Sequence, residues 1–242
     1  MAIKVSVVGA TGRMGSLALE IIAQDERFEL HSTLSSQSDL TETIGADVIF
    51  DVTKLEVSQR VVNFAIEHNI PVLVGTSGWS AAHVAAIADA VRDHGASVVI
   101  VPNFSVGSML ATRFAAEAAK FFDSIEIVEA HHQHKVDSPS GTAIRTAELI
   151  SASRKDAGAT AGSVTGVGQE ARGKLVEGIP VHSLRLSGVS AKQDVLLGGQ
   201  SELLTISHET TSVAAYASGI ALSLLFAASN RGLHVGLDSV IR

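Results

Sequence analysis

Short apolar runs alternate with amphipathic segments through the first hundred residues, and this alternation restricts the fold more than any other feature of the chain. The runs are rich in Val and Ile, end in turn residues and predict five strands, at residues 3–9, 28–34, 46–52, 70–78 and 97–104. Between them, apolar residues recur at helical spacing, in segments that include residues 14–22, 56–69 and 80–95. Repeated strand–helix–strand units predict an α/β fold with a doubly wound parallel sheet.

The pattern changes after about residue 104 and predicts a second domain of the α+β kind with a mixed or antiparallel sheet. A helix, an alternating strand, a second helix and a glycine-rich loop precede three strands close enough in sequence to pair antiparallel; these segments are residues 106–122, 124–130, 141–154, 155–178, 179–188, 193–199 and 202–209. Residues 213–229 are apolar, but no cationic flank or aromatic belt frames them. We expect a buried helix there, packed back on the first domain, and no membrane partner.

Charge and composition bear on partners and compartment. The 242 residues include 18 Lys and Arg against 25 Asp and Glu, a net charge of -7, with no basic stretch to follow a phosphate backbone, so we expect no nucleic-acid partner. Cysteine is absent, which excludes disulfides and thiolate chemistry and is compatible with a reducing cytoplasm. Residues 1–12 lack the apolar core and cleavage site of a signal peptide, and we interpret them as a mature start.

Three glycines stand where a dinucleotide-binding loop is expected. Gly9, Gly12 and Gly15 directly follow the first strand and open the first helix. In such loops the first glycine permits a tight turn, the second lets the backbone approach a pyrophosphate, and the third allows close packing of helix on strand. Thr11 holds the middle place of the commoner G-x-G-x-x-G, so a glycine turn that only packs is the alternative.

The end of the second strand bears on which dinucleotide is bound. Ser35 and Ser36 stand where an acidic side chain usually holds the ribose of NAD, and Arg13 in the glycine loop could reach a 2′-phosphate. We therefore expect NADPH to be accepted at least as well as NADH. Two further strand ends, residues 75–77 and 101–104, should border the site and bring Phe104 beside the nicotinamide, with ordinary loop residues as the alternative.

Residues 129–143, EAHHQHKVDSPSGTA, concentrate hydrogen-bond donors and cations in one loop. His131 and His132 leave a strand in different directions, so one could carry a proton while the other holds an anion, and Lys135 offers a fixed positive charge. Ser140 precedes a helix whose first N–H groups form a second anion site. Two donor clusters a short span apart predict a dicarboxylate substrate.

Three other interpretations of this loop stay open. A metal site could be built on His131, His132 and His134, the cluster could be a solvated surface, and Ser140 could be an ordinary helix cap. We favour a site without a metal, because the nearest carboxylates need not converge on the three imidazoles.

Six segments resemble the dihydrodipicolinate reductase family, now called 4-hydroxy-tetrahydrodipicolinate reductases, in that family's order and over essentially the whole chain. They are GATGRMG, VGTSGW, PNFSVG, EAHHQHKVDSPSGTA, IPVHSLRLSG and GLHVGLD, at residues 9–15, 74–79, 102–107, 129–143, 179–188 and 232–238. The histidine motif is highly specific, and the compact length and the fifth segment are most similar to the actinobacterial branch. The resemblance implies a Rossmann-type dinucleotide-binding domain at residues 1–103 and 213–242, a substrate-binding and oligomerisation domain at residues 104–212, and a homotetramer.

The resemblance also implies a reaction and roles within it. A hydroxylated tetrahydropyridine dicarboxylate would be reduced by NADPH or NADH, with loss of water, to tetrahydrodipicolinate in the diaminopimelate route to lysine. His131 matches the acid/base residue and Lys135 the lysine that stabilises a developing anion, while His132, Gly141 and Thr142 would bind the substrate carboxylates. Together with Ser35, the predicted cofactor contacts are Gly9, Ala10, Thr11, Gly12, Arg13, Met14, Gly75, Thr76, Ser77, Val101, Pro102, Asn103 and Phe104.

The chain departs from the family pattern at four places. Residues 54–56, Lys-Leu-Glu, replace a proline-containing turn, Ser138 stands for alanine, Ser77 stands for threonine, and Val213 stands for arginine. The arginine position bears on the subunit interface or the domain hinge, and the other three changes are mild.

Two rival functions are compatible with the first domain. One is another dicarboxylate oxidoreductase on the same scaffold, and the other is a regulator that binds NADPH without turnover. The cluster at residues 131–142 argues against the first rival, and the presence of both His131 and Lys135 argues against the second.

Overall fold

A computed structural model of the protein describes residues 1–159, 166 and 168–241. These residues divide into two compact units, Met1–Val106 with Val213–Arg242, and Gly107–Ser212. Part of the predicted glycine-rich loop, residues 160–165 and 167, lies outside the described residues. Each unit is built on its own sheet.

The first unit contains a six-stranded sheet in which every neighbouring pair is parallel. Its strands, numbered along the chain, are β1 (Ile3–Val8), β2 (Phe28–Leu34), β3 (Val48–Asp51), β4 (Val72–Val74), β5 (Ser97–Ile100) and β11 (Gly232–Val235), in the order β11-β5-β4-β3-β1-β2. All residues of β3, β4 and β5 are buried, as expected for a parallel sheet covered on both faces.

Helices cover this sheet on its two faces. They are α1 (Arg13–Gln24), α2 (Leu55–Glu67), α3 (Ala81–His94) and α6 (Ala217–Ser229). Helix α1 packs with α6, and α2 packs with α3. The β1–β2 and β3–β4 crossovers run in opposite directions across the sheet, so right-handed connections put α1 and α2 on opposite faces. The predicted doubly wound α/β fold is confirmed.

The apolar segment at residues 213–229 forms a 3-10 turn, Val213–Tyr216, followed by α6. Helix α6 packs on β3, β4 and β5, and its Ile220 and Leu224 are completely buried. Within the described part of the chain, no helix combines the length and the apolarity that crossing a membrane requires. The prediction missed β11, which extends the sheet beyond β5, because its four residues are mostly half-exposed and show little alternation.

The second unit is an α+β arrangement around a five-stranded mixed sheet. Its elements are α4 (Val106–Ala118), β6 (Ser124–His131), α5 (Gly141–Asp156), β7 (Lys174–Val176), β8 (Ile179–Arg185), β9 (Ala191–Gly199) and β10 (Glu202–Thr210), with strand order β10-β9-β6-β8-β7. One face of the sheet packs its apolar residues against alanines and Ile150 of the helical segments. The opposite face exposes Leu184 and Leu203.

The pairing of the last three predicted strands is partly corrected. Strands β9 and β10 form the expected antiparallel pair. Strand β8 instead pairs parallel with β6, along the edge of β6 that faces away from β9. The connection from β6 to β8 contains α5, and a helix-containing crossover favours parallel pairing. Strand β7, within the predicted loop, pairs antiparallel with β8. Glu177 and Gly178 form the turn between the two strands, and both have positive φ, as tight hairpin turns require.

Candidate active site

The glycine loop lies at the carboxyl end of β1 and leads directly into α1. Gly9 has φ +91°, a left-handed conformation that favours glycine, and a Cβ at this position would lie 2.7 Å from Val52 O. The N–H groups of Gly9 and Ala10 both donate to Leu34 O, at 3.0 and 3.3 Å, and hold the loop against the end of β2. The backbone itself therefore requires glycine at position 9.

Gly12 and Gly15 differ in what the protein needs from them. A Cβ on Gly15 would lie 2.3 Å from Gly9 O and 2.6 Å from Ala10 Cα, so this glycine lets α1 pack on the loop. A Cβ on Gly12 would lie 3.3 Å from Gly9 O, which a small movement relieves. Gly12 is exposed, has an ordinary φ of -81° and is the N-cap of α1, where it has no side chain to occupy the first N–H groups. The space at Gly12 is thus available to a ligand, whereas Gly15 serves the fold.

This difference predicts opposite effects of two matched substitutions. We expect Gly15→Ala to lower the free energy of unfolding by about 1–3 kcal/mol, because the new methyl group overlaps the loop backbone. Gly12→Ala should change the free energy of unfolding by less than about 1 kcal/mol but raise the NADPH dissociation constant about tenfold, because the methyl group occupies the approach to the helix N-terminus. Denaturant unfolding and calorimetric titration with NADPH measure the two effects. Unchanged NADPH affinity in Gly12→Ala would contradict a phosphate site at this loop.

Strand register brings the other predicted cofactor contacts to the same edge of this sheet. Val8 pairs with Leu34 and Asp51, Asp51 pairs with Val74, and Val74 pairs with Ile100. The residues that follow these strand ends therefore line one edge, where parallel sheets bind their ligands. They are Gly9, Ala10, Thr11, Gly12, Arg13, Met14, Ser35, Gly75, Thr76, Ser77, Val101, Pro102, Asn103 and Phe104. Lys54, one of the departures from the family pattern, is exposed at this edge as the N-cap of α2.

The side chain of Phe104, one of the predicted cofactor contacts, is buried. Its side chain is 3% exposed, lies edge-on to Phe50 with ring centroids 5.7 Å apart, and fills the space next to Gly75, where a Cβ would lie 2.8 Å from the ring. The ring therefore belongs to the core of the first unit. Burial of a phenyl ring against another aromatic ring is more favourable than its exposure at the sheet edge.

Asp51 is a buried acid that the sequence analysis did not identify, and it ties two strand ends together. Its carboxylate accepts hydrogen bonds from Thr53 Oγ1 at 2.6 Å and Thr76 Oγ1 at 2.9 Å, and Thr76 Oγ1 accepts from Thr53 N at 2.8 Å. Burial raises the pKa of Asp51, and hydrogen bonds from Ser58, Thr53 and Thr76 oppose this rise. The Thr76 side chain is engaged inside the protein, so its backbone is the part available at the edge. The sequence signal that could have identified Asp51 is an acidic residue at the end of the apolar strand β3.

Ser35 and Ser36 follow β2, as predicted. Ser35 N donates to Ser38 Oγ at 3.2 Å, and Ser38 N donates to Ser35 O at 3.3 Å, so residues 35–38 form a closed turn. The next carboxylate along the chain is that of Asp39, which accepts from Thr41 N and Thr41 Oγ1, both at 2.8 Å, and caps its own 3-10 turn. The serines at positions 35, 36 and 38 therefore precede the first carboxylate that follows β2 along the chain.

In the second unit, β6 carries the first residues of the histidine loop, which is the segment of residues 129–143. Glu129 and His131 alternate with Ala130 and so lie on one face of the strand. His131 is the last residue of β6 and is half-buried, whereas His132 is exposed in the loop that follows. The two adjacent imidazoles therefore have different environments.

Glu129 is the centre of a buried hydrogen-bond cluster. Its side chain is 0% exposed and accepts from His131 Nδ1 at 2.6 Å, from the Arg185 guanidinium at 3.0 and 3.1 Å, and from Ser140 N at 3.1 Å. Burial alone would raise the pKa of Glu129, but the hydrogen bonds from Arg185, Ser183 and His131 outweigh it and lower that pKa. The carboxylate is therefore ionised at neutral pH.

Arg185, at the end of β8, fastens the histidine loop to the sheet. Besides binding Glu129, it donates to Asp137 O at 2.7 Å and to Lys135 O at 3.2 Å. Sequence reasoning missed both Glu129 and Arg185, although each lies in a segment that carries the family resemblance. Their 56-residue separation along the chain hides the contact that gives them a role.

Lys135 is paired with the carboxylate of Asp137, whose two oxygens both lie 2.7 Å from Nζ. The hydrogen bond from Lys135 lowers the pKa of Asp137. The Asp137 side chain is 65% exposed, and exposed pairs of this kind are weak. The Lys135 ammonium is thus available to exchange Asp137 for another carboxylate.

Helix α5 begins with Gly141 and Thr142, immediately after its N-cap Ser140. Ser140 Oγ accepts from Ala143 N at 3.2 Å, so Ser140 is a helix cap, an interpretation that the sequence had left open beside an anion site. Gly141 is exposed, and an added Cβ would meet no atom of the described residues within 4 Å. The N–H groups of a first helical turn point out along the axis, so an anion placed before α5 would meet those of Gly141 and Thr142.

His131 has a pKa below the ordinary value for histidine. Burial lowers this pKa, the hydrogen bond and charge of Glu129 raise it, and the positive charges of Lys135 and Arg185 lower it again. Without a ligand, the imidazole is therefore mainly neutral at pH 7.

The donor set of the loop suits an anion. Among the residues that the structure describes, no group of three or more His, Asp or Glu side chains is arranged to hold a metal ion. The Nδ1 atom of His131 is engaged by Glu129, and the rings of His132 and His134 lie 6.4 Å apart. Ammonium, imidazole and helix N–H groups instead form the charge-assisted hydrogen bonds that carboxylates accept.

Comparisons with known proteins cover the whole chain. Residues 3–104 and 107–241 match the family models described as dihydrodipicolinate reductase, N-terminus, and dihydrodipicolinate reductase, C-terminus. A 4-hydroxy-tetrahydrodipicolinate reductase of Clavibacter sepedonicus is 52% identical over 242 residues, which are 100% of this chain and 87% of the relative. One from Cutibacterium acnes is 39% identical over 246 residues, 99% of this chain and 98% of the relative. A solved structure, dipicolinate-bound dihydrodipicolinate reductase from Paenisporosarcina sp. TG-14, aligns with a TM-score of 0.85 at 27% identity, over 100% of both chains.

Proposed function

The chain belongs to the dihydrodipicolinate reductase family, and on that premise we propose that it reduces 4-hydroxy-tetrahydrodipicolinate to tetrahydrodipicolinate with NADPH or NADH. It is an oxidoreductase, and its reaction is the reductase step of the diaminopimelate route to lysine. The observation that carries the proposal is the histidine loop, in which the Glu129–His131 pair, Lys135 and the start of α5 occur within 14 residues. We place the reaction in the cytoplasm, where a cysteine-free chain needs no oxidative folding.

His131 is the acid/base residue of the proposed reaction. Its Nδ1 atom is bonded to Glu129, which leaves Nε2 to exchange a proton with the substrate. A bound dianion would offset the positive charges of Lys135 and Arg185, and this would raise the pKa of His131. The imidazole would then take up a proton when substrate is bound and deliver it during the reduction.

Lys135, His132 and the first turn of α5 hold the carboxylates and the developing negative charge. Lys135 would exchange the exposed Asp137 carboxylate for the substrate, and His132, three residues before Lys135 in the chain, is also exposed. The N–H groups of Gly141 and Thr142 would donate hydrogen bonds to the second carboxylate at the helix N-terminus. The Paenisporosarcina relative is described as dipicolinate-bound, and dipicolinate is a dicarboxylate.

The edge of the first sheet fits a dinucleotide. Gly12 leaves space at the N-terminus of α1, which would hold the pyrophosphate together with the backbone of residues 9–14. Ser35 and Arg13 would meet the adenosine ribose and its 2′-phosphate, and the backbones of residues 75–77 and 101–104 would border the nicotinamide. When bound, the reduced nicotinamide supplies the hydride of the reaction.

One assay tests the proposed activity and ranks the two cofactors. Oxidation of NADPH and of NADH is followed by absorbance, with substrate generated in place from pyruvate and aspartate semialdehyde by the preceding synthase. We expect oxidation that depends on both synthase substrates, with kcat/KM for NADPH at least equal to that for NADH. A strong preference for NADH would contradict the cofactor expectation and leave the reaction intact.

The rival functions give different results in the same assay. A regulator would bind NADPH in a calorimetric titration and oxidise none of it. Another dicarboxylate oxidoreductase would oxidise NADPH with a different acceptor and remain inactive with the synthase product.

We further propose that the chain forms a homotetramer through the face of the second sheet that exposes Leu184 and Leu203. Leu203 in β10 and Leu184 in β8 are 67% and 45% exposed there, whereas the opposite face is covered by helical segments. Exposed leucines on one face of a sheet are typical of an interface. Homo-oligomers with closed symmetry bury such faces against identical copies.

A single charge on this face tests the assembly. We expect Leu203→Lys to raise the tetramer dissociation constant about tenfold or more, because the lysine places a charge at an apolar contact. Sedimentation velocity over a range of concentrations measures the change. Ile44→Lys is the matched control, because Ile44 is an exposed apolar residue of the first unit. An unchanged tetramer in Leu203→Lys would place the interface elsewhere.

A further inference from the structure

Ionised Glu129 constrains the position of the proton on the His131 ring. A carboxylate only accepts hydrogen bonds, so the 2.6 Å contact to Glu129 requires a proton on Nδ1 of His131. The neutral imidazole is therefore the Nδ1–H tautomer, and Nε2 is the nitrogen that gains and loses a proton. The remaining oxygen positions of Glu129 are taken by Arg185 and Ser140 N, which prevent the carboxylate from rotating away.

The charge of Glu129 also opposes the effect that the other groups around His131 have on the pKa of the imidazole. The charged groups that face His131 are Glu129 on the same strand, Arg185 from β8 and Lys135 from the loop, and Lys135 is itself paired with Asp137. The two cations and burial disfavour the imidazolium, whereas Glu129 favours it.

We propose that Glu129 is a positioning residue for the reaction, which holds His131 as the Nδ1–H tautomer and stabilises its imidazolium form, while Arg185 holds Glu129 in place. The inference rests on the proposed function only for its consequence in turnover. The tautomer and the protonation of His131 are properties of the protein without substrate and can be measured separately.

Glu129→Gln reverses the hydrogen bond at nearly constant shape. The amide oxygen, in the position of Oε1, can still accept from Ser140 N and Arg185 Nη2. The amide NH2 then faces His131 Nδ1 and loses the hydrogen bond that Oε2 accepted from Arg185 Nη1. The imidazole then has to accept at Nδ1, and its proton moves to Nε2. Loss of the negative charge also lowers the pKa of His131, so the acid form disappears at lower pH than in the wild type.

A second cluster of the same three residue types supplies a control variant. Glu126 on the same strand, but on its opposite face, accepts hydrogen bonds from Arg172 and from His182 Nε2 at 2.7 Å. Glu126→Gln therefore removes the same charge from a second Glu–His–Arg cluster that has no place in the proposed site. This cluster lies on the face proposed for assembly. The kinetics of Glu126→Gln and the wild type are therefore compared at concentrations where both have the same oligomeric state.

The first test is the nitrogen NMR spectrum of full-length protein labelled with 15N-histidine, with the His131 signals assigned by their loss in His131→Gln. We expect the Nδ1–H tautomer in the wild type and the Nε2–H tautomer in Glu129→Gln. An Nε2–H tautomer in the wild type would overturn the proposal without any variant. Glu129→Asp keeps the charge and should keep the wild-type tautomer, so it serves if Glu129→Gln fails to fold.

The second test is the pH profile of kcat. We expect kcat of Glu129→Gln to fall about 10- to 100-fold at pH 8, with its alkaline limb displaced to lower pH and the substrate KM changed less than about threefold. Glu126→Gln should keep the wild-type profile. A folded Glu129→Gln with the wild-type profile would overturn the proposal. If the wild type does not turn over the synthase product, the proposed function fails, and the spectrum still decides the tautomer.

Discussion

His131→Gln should lower kcat by about 10² or more while leaving NADPH affinity nearly unchanged, because the variant removes the proposed proton carrier. Glutamine is chosen because its amide can still donate to Glu129, whose buried charge would otherwise lose a partner. The fold should therefore persist. Steady-state kinetics with the coupled synthase measure kcat, and calorimetric titration measures NADPH binding.

His134→Gln is the matched control for this prediction. His134 lies three residues further along the same loop, is exposed, and contacts the side chain of Gln133. We expect this variant to keep kcat within about twofold of the wild type. Full activity in His131→Gln would exclude His131 as the acid and direct attention to His132.

Lys135→Ala should lower kcat/KM by about 10² or more, with losses in both kcat and substrate affinity. The ammonium would hold a carboxylate of the bound substrate and also stabilise charge that develops during the reduction, so both parameters depend on it. The variant should remain folded, because Asp137 is exposed and becomes hydrated when Lys135 is lost. Initial-rate kinetics over a range of substrate concentrations separate the two effects.

Lys155→Ala provides the control for loss of a lysine in the same unit. Lys155 is exposed near the end of α5 and pairs with Glu177 at 3.3 Å, at the opposite end of the helix from Gly141. We expect unchanged kinetics in this variant. If Lys135→Ala has wild-type kcat and KM, Lys135 neither binds the substrate nor stabilises an anion, and Asp137 remains its partner during turnover.

The parallel sheet and its glycine loop were predictable because their signals are local. Apolar runs, helical spacing and turn residues lie within single segments, and parallel strand ends meet at one edge once the alternation of strands and helices is recognised. The histidine loop was predictable for the same reason, since its donors lie within 15 consecutive residues. Strand β7 and strand β11 were missed because each is short and half-polar.

Contacts between distant segments were beyond reach of these signals. The parallel pairing of β8 with β6 brings Arg185 beside Glu129. Neither residue differs locally from an ordinary charged residue of an exposed strand. Phe104 shows the same limit, because its burial against Phe50 depends on a residue more than 50 positions away.

The amino-acid sequence by itself determined the two-part organisation, the doubly wound sheet, the glycine loop and the loop that carries His131 and Lys135. Only the tertiary structure decided that Gly15 serves packing while Gly12 leaves space, that Asp51 joins two strand ends, and that Glu129 and Arg185 hold His131. The physical reason is that periodicity and turn chemistry act between near neighbours in the chain. Burial, hydrogen-bond partners and the pKa of a side chain depend instead on groups that only folding brings together.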